Sequence, residues 1–441
     1  MRALLVRGGR VIDPASAVDA RVDVLLRDGT VAAVGPALAD PGADVLDATG
    51  AVVAPGFIDL HTHLREPGDE HKETVASGLA AAAAGGFTTV CAMPNTRPPA
   101  DDPAVVRTVL ELASASGLAR VLPIGAVTRD RAGRALADLA ELAAAGCVAF
   151  SDDGAYVADA ALMRSALEWA RALGVPLSDH CEDPALVRGG TMNEGPVSAR
   201  LGLPGAPGAA EVAAVARDLA LAALTDAHLH IAHVSTAAAC DLIATAKARG
   251  LHVTAEVTPH HCFLTERAVM ERADVEGLAY DTDARVNPPL RSESDRRACL
   301  EALRAGVIDC VATDHAPHAR TDKWCEFDRA APGISGLETA LGVLGALVAQ
   351  GALDLPTAVA RLTAGPARAW DLGRRVPGIG SLRPGAPADL VVFDAAREWM
   401  VHPARFRSRG RNTPLAGRAL RGLVLTTVHG GRVVYRHEEQ G

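Results

Sequence analysis

From about residue 56 to residue 372 the chain repeats one pattern. A short apolar run gives way to a polar loop, then to an alanine- and leucine-rich stretch that closes on glycine, as at Gly85-Gly86 and Gly250. Apolar runs at 57–63, 87–93, 121–127, 147–153, 175–180, 228–234, 252–258 and 309–314 predict eight strands. Eight strands alternating with helices predict an α/β fold, a (β/α)8 TIM-type barrel. An open doubly wound sheet is the alternative, weakened by the lack of a Gly-x-Gly-x-x-Gly turn after the first strand. The two ends of the chain read differently. Ala3–Val6, Val22–Leu26 and Val31–Val34, then Asp389–Phe393, Leu423–Val428 and Arg432–Tyr435, are short strands between Gly and Asp turns without helical periodicity. Residues 1–55 and 373–441 are therefore expected to pair into one small β-sandwich around a catalytic barrel at 56–372.

Composition narrows the function. The 441 residues are 49% hydrophobic and 22% charged, ample for a large core. A net charge of −9 with no basic run, and only 3% aromatic residues, argue against nucleic acid as a partner. No run of about 18 apolar residues predicts a membrane span. The N-terminus turns polar too soon for a signal peptide, and the eight cysteines form no Cys-x-x-Cys pair. A reduced cytoplasm is the expected location. Only three lysines occur, Lys72, Lys247 and Lys323.

The polar residues collect where a barrel keeps its chemistry, at the C-terminal ends of strands. Strand one ends in His61 and His63, which share one face of an extended strand with Cα atoms about 6–7 Å apart, so both imidazoles can reach one metal ion. Strand four ends Ser151-Asp152-Asp153, strand five Asp179-His180-Cys181-Glu182, strand six His230-Ile231-Ala232-His233, and strand eight Thr313-Asp314-His315. Five of eight strands offering His or Asp at the same end point to a metal site. His71, His228, His252, His260, His261 and His402 lack this placement or a clear partner and read as surface or supporting histidines.

At strand four, bulky Val148 and Phe150 are expected to face the helices, and Cys147, Ala149 and Ser151 the barrel axis. Alternation then puts Asp153 on the axial face. Asp152 remains the alternative and is expected to cap or turn the following loop.

Asp59-x-His61-x-His63-Leu64-Arg65-Glu66-Pro67-Gly68, Met93-Pro94-Asn95-Thr96, Asp179-His180-Cys181-Glu182, Asn287-Pro288-Pro289-Leu290-Arg291 and Ala312-Thr313-Asp314-His315-Ala316-Pro317-His318 closely resemble the bacterial class I dihydroorotases of the amidohydrolase superfamily. The resemblance runs along nearly the whole chain. It implies a distorted barrel with two Zn2+ per subunit: His61, His63 and Asp314 on one, His180 and His233 on the other, Asp153 as the bridge. Many superfamily relatives use a carboxylated lysine as that bridge. None of the three lysines here ends a strand near the proposed metals, which supports the aspartate version independently.

The resemblance also implies the reaction, reversible closure of N-carbamoyl-L-aspartate to L-dihydroorotate in pyrimidine synthesis. Zinc would lower the pKa of bound water from about 15.7 to about 7 and polarise the amide carbonyl. Asp314 would shuttle the proton to the leaving nitrogen. Arg65 offers a planar fork to the free carboxylate; a salt bridge to Glu66 or Glu73 is its plainer role. His63, Asn95, Asn287, His318 and the backbone of Pro332-Gly333 resemble the remaining substrate contacts, and relatives often carry Phe before that glycine. The loop 319–331, with Arg320, Lys323 and Trp324, is a candidate lid. Some relatives work in complex with aspartate transcarbamoylase, and a homo-oligomer is expected. Two rival readings are a hydantoinase- or allantoinase-like cyclic amidohydrolase, and a non-catalytic dihydroorotase-like partner of aspartate transcarbamoylase.

Overall fold

A computed structural model describes residues 3–277 and 279–438. Eight parallel strands lie side by side in chain order: Phe57–Thr62, Phe87–Ala92, Arg120–Gly125, Ala149–Phe150, Leu177–Asp179, Leu229–Ile231, Val253–Val257 and Cys310–Val311. The first and last are joined by something other than a ladder. A single bridge links Thr62 to His315, His63 N donates to His315 O at 2.9 Å, and the Asp59 carboxylate accepts from Thr313 N at 2.9 Å and from the Thr313 hydroxyl. This seam makes the barrel nearly closed and distorted.

All eight expected strands are present, but the fourth and eighth keep only two residues of regular pairing. Beyond those pairs, side chains rather than a ladder take up backbone groups of the neighbouring strands. Asp152 takes Val127 N at 2.9 Å and Thr128 N at 3.1 Å, and Asp59 takes Thr313 N. The strand ends thereby become loops that can aim polar groups inward.

Helices wrap the strands, and their ends follow from sequence. Thr74, Asp102, Asp159, Thr236 and Ser292 each accept a backbone N–H at a helix start. Gly117, Gly174 and Gly306 close helices in the left-handed conformation. A second apolar cluster draws on the first four strands and the last, through Leu60, Cys91, Ile124, Ala149 and Ala312, and Trp370 packs against it.

The chain ends form two sheets. Leu4–Arg7, Asp23–Arg27, Thr30–Gly35 and Asp44–Asp47 make a four-stranded one. Arg10–Asp13, Val18–Arg21, Val52–Pro55, Leu390–Met400, Ala419–His429 and Arg432–Arg436 make a six-stranded one. Val6, Val24 and Leu26 of the first share a core with Val11, Val53, Val392 and Val428 of the second. The larger sheet turns its other face to the barrel, where Phe393 meets Phe57 at 6.2 Å between ring centroids. Arg10–Asp13, Val18–Arg21, Asp44–Asp47 and Val52–Pro55 are not among the strands the sequence predicts; in the first three, charged residues interrupt the apolar run. Residues 401–416 leave the sheet, and Ser408, Arg409 and Asn412 bond Glu73, His318, Ala316 and Gly333 in the loops at the barrel's polar end. Among the described residues no helix is long and apolar enough to cross a membrane.

Candidate functional site

Strand ends one, four, five, six and eight bring His61, His63, Asp153, His180, His233 and Asp314 together, all buried. His61 Nε2 lies 3.3 Å from Asp153 Oδ1 and 3.5 Å from Asp314 Oδ1. His63 Nε2 lies 3.0 Å from Asp314 Oδ1 and 3.5 Å from Asp153 Oδ2. His233 Nε2 lies 3.2 Å from Asp153 Oδ1 and 2.9 Å from His180 Nδ1. Within this cluster, two sets have ligand atoms within 4.8 Å of one another, His61–Asp153–His233 and His61–His63–Asp314. Arg65, His233 and Asp314 have φ of 63°, 33° and 45°, conformations that cost non-glycine residues about 1–3 kcal/mol and gather at functional sites.

The donor set fits divalent cations. His61 Nε2 is buried with no hydrogen-bond partner among the described residues, although it faces two carboxylates. An uncompensated buried polar atom is costly, and a cation held between imidazole nitrogens and carboxylate oxygens removes that cost. The local electrostatics agree. Burial opposes the charged form of His61, but Asp153 and Asp314 outweigh it and hold its pKa well above the usual histidine range. Burial likewise opposes ionisation of Asp153, yet His61, His180 and His233 hold it well below the usual carboxylate range.

Asp152 points away from this cluster, into the Val127–Thr128 backbone of the preceding strand's loop rather than its own following loop. The alternation used to choose between the two aspartates does not run cleanly: Val148 joins the cluster of Leu60 and Ile124, whereas Cys147 packs with Leu142 and Phe150 on the helix side. With regular pairing confined to Ala149–Phe150, a period of two cannot be carried to residue 153.

Around the six lie the other expected residues. Arg65 is buried, its Nε 3.3 Å from Pro317 O. Burial presses its pKa down to about 10 against the pull of Asp314 and Asp69. Glu66 is engaged by Val75 N, and Glu73 by His315 and the 408–409 backbone and hydroxyl. Asn95 Oδ1 is 2.9 Å from His63 Nδ1. Asn287 Nδ2 donates to Glu182 Oε2 at 2.7 Å and lies 3.2 Å from His180 Nε2. His318 Nε2 donates to Pro332 O at 2.9 Å. Gly333 has φ of 146°, and a Cβ there would stand 2.7 Å from that of Ala316, so only glycine fits.

A dihydroorotase from Anaeromyxobacter dehalogenans (strain 2CP-C) is 54% identical over 437 residues, covering 99% of this chain and 98% of that protein. The chain belongs to the dihydroorotase family. A sequence profile described as Dihydro-orotase-like matches residues 50–239. A dihydroorotase from Syntrophus aciditrophicus (strain SB) is 47% identical, covering 99% of this chain and all of that protein. Among solved structures, the L-hydantoinase (dihydropyrimidinase) from Arthrobacter aurescens superposes with a TM-score of 0.86 at 25% identity, over 100% of this chain and 97% of that one. A barrel of this kind is thus shared across cyclic-amide hydrolases.

In this family member the three lysines are all engaged elsewhere. Lys247 Nζ pairs with Asp309 at 2.6 Å, Lys323 Nζ donates to Thr282 O and Arg285 O, and Lys72 lies 3.4 Å from Asp69. Several residues around the site escaped the sequence reading. Glu256 Oε1 is 2.7 Å from His61 Nδ1; the signal was a lone acid in the apolar strand Val253–Val257. Glu182, within Asp179-His180-Cys181-Glu182, has no sign of its part in the sequence, yet its Oε2 holds Asn287 Nδ2 at 2.7 Å and lies 3.4 Å from His180 Nε2. His260, set aside as a supporting histidine, is buried with Nε2 unpartnered among the described residues; burial presses its pKa to about 4, with Asp314 and His233 close enough to act on it. Asn412 bonds His318 N, Ala316 O and Gly333 O from far along the chain. A cavity of about 620 Å³ between Trp399, Phe406 and Tyr435 does not touch these residues.

Proposed function

We propose that the chain is a class I, zinc-dependent enzyme interconverting N-carbamoyl-L-aspartate and L-dihydroorotate. The observation that carries this is the convergence of four imidazoles and two carboxylates beside a buried arginine, in a member of the dihydroorotase family. In this reading His61, His63 and Asp314 would hold one Zn2+, His180 and His233 would hold a second, and Asp153 would be shared between the two. Bound there, zinc would supply Lewis acidity, lowering the pKa of water to about 7 and polarising the amide carbonyl. Asp314 takes the proton the attacking water loses and delivers it to the ring nitrogen as the C–N bond breaks; in ring closure it runs the transfer backwards. Arg65 grips the free carboxylate with its planar fork. Its site beside Pro317 O is desolvated, which strengthens the contact. His63 and Asn95 flank that carboxylate, Asn287 reaches the ring amide, and His318 with the Pro332-Gly333 backbone closes the far side. The loop 319–331 acts as the lid. Catalysis is assigned to residues 56–372, with 1–55 and 373–441 as the sandwich.

The aspartate-bridged set supports class I over the lysine-bridged arrangement of hydantoinases and allantoinases, since no lysine reaches the cluster. The completeness of the ligand set speaks against a non-catalytic scaffold. Seven buried free cysteines among eight support a reducing, cytoplasmic setting. Self-association and assembly with aspartate transcarbamoylase rest on the class I resemblance. The test is a spectrophotometric assay of the purified chain in both directions, with hydantoin and allantoin in parallel. Turnover of dihydroorotate alone supports the reading. Turnover of hydantoin or allantoin without dihydroorotate replaces it with the hydantoinase-like rival. A metal-free, inactive chain that binds aspartate transcarbamoylase replaces it with the scaffold.

A further inference from the structure

The barrel interior beneath the metal ligands holds a chain of polar side chains that the reaction above does not use. It starts at His61, whose Nε2 enters the cluster and whose Nδ1 meets Glu256 Oε1 at 2.7 Å. The other carboxylate oxygen, Oε2, lies 3.2 Å from His230 Nε2. His230 Nδ1 is 2.8 Å from the Thr254 hydroxyl. That hydroxyl is also 2.9 Å from His228 Nε2 and 3.4 Å from Ala369 O. The edge of Trp370 packs on the His230 ring at 5.3 Å and 87°. His61, Glu256 and His230 are buried.

Hydrogen-bond accounting gives the chain a direction. An ionised carboxylate only accepts, so Glu256 draws an N–H from His61 on one oxygen and an N–H from His230 on the other. A histidine that donates from Nδ1 carries its lone pair on Nε2, the atom a cation needs. For His61 that atom is the one aimed at Asp153 and Asp314. His230 can serve Glu256 only in one of its two ring orientations, and a partner on Nδ1 selects that orientation.

We propose that His230 and Thr254 are positioning residues for the metal centre: the Thr254 hydroxyl fixes the ring of His230, His230 fixes the Glu256 carboxylate, and Glu256 fixes His61 as the Nδ1–H tautomer with Nε2 presented to the cation. This rests on the metal-centre reading above. Partners that bond a metal ligand directly are worth about 10- to 100-fold in metal affinity, and a residue one or two bonds further out is worth less.

The test is zinc affinity, by competition with a chromophoric chelator, for the parent chain, Glu256→Gln, Thr254→Val and Thr254→Ser. Glu256→Gln is expected to lose about 10- to 100-fold. Thr254→Val is expected to lose a measurable part of that, with melting temperature held, and Thr254→Ser to restore it by returning the hydroxyl. Parental affinity in Thr254→Val, or a Thr254→Ser as weak as Thr254→Val, overturns the proposal. A long-range 1H–15N spectrum of the metal-free parent gives a reading independent of the variants' folding and of zinc binding. The His61 signal, identified by its loss in His61→Asn, is expected to show a proton on Nδ1 at every pH at which the chain is folded; a neutral His61 ring with its proton on Nε2 and Nδ1 bare overturns the proposal. Should the parent bind no zinc while His61 keeps Nδ1–H, the metal-centre reading fails and the hydrogen-bond chain stands.

Discussion

Asn95 Oδ1 sits 2.9 Å from His63 Nδ1. The amide oxygen can only accept, so it holds the His63 proton on Nδ1 and turns Nε2 toward Asp314 and Asp153. Asn95→Ala is therefore predicted to weaken zinc binding by about 10- to 100-fold and to lower kcat more than it raises KM. Zinc content after dialysis, read beside steady-state kinetics, checks this. A variant with full zinc content and a raised KM alone would make Asn95 a substrate contact only.

Asp314→Asn keeps the side chain's shape and removes its basicity. Turnover is predicted to fall by about 10²- to 10⁴-fold, with the far-ultraviolet circular dichroism unchanged. Near-normal kcat in a folded, zinc-loaded Asp314→Asn would remove the residue from proton transfer.

Arg65→Met is predicted to cut kcat/KM roughly 10- to 100-fold, from the ~1.5–3 kcal/mol of a hydrogen bond to a charged group, mainly through KM. Titration of the variant with dihydroorotate checks it; an unchanged KM counts against the clamp.

His318 carries a pH prediction. Burial, with Arg65 and Lys323 nearby, presses its pKa down to about 2, against about 6.5 in an unfolded chain. Between those values the unfolded chain binds the proton and the folded chain does not, so this group's contribution to stability falls as pH drops below about 6.5. His318→Gln is predicted to lose less stability than the parent between pH 7 and pH 5, measured by urea unfolding. Equal losses would show that His318 is not held neutral.

Asn412→Ala is predicted to destabilise the chain and impair turnover together. It strands His318 N, Ala316 O and Gly333 O, and each unsatisfied buried group costs about 1–3 kcal/mol. Parental urea midpoint and kcat/KM in this variant would deny Asn412 its part in shaping the loops.

How far the sequence revealed this site depended on range. The eight barrel strands were legible because burial on both faces writes near-continuous apolar runs such as Phe57–Thr62 and Phe87–Ala92. The six clustered side chains were legible because each follows such a run at the end where a barrel keeps its chemistry. The alternation that points to Asp153 is broken at Cys147 and Val148, so the pattern reaches the right aspartate only in part. Asn412 had no local sign at all. It lies 94 residues from the His318 amide it bonds, in a stretch without periodicity, and only the folded chain brings them together.

The most direct test of the account is a zinc titration of the chelator-stripped chain, with dihydroorotate turnover read at each addition. Activity is predicted to be absent at the start, to rise to a plateau at two equivalents per chain, and to stay absent throughout in Asp153→Ala. Full turnover before any zinc is added would contradict the claim that these six side chains work by holding metal.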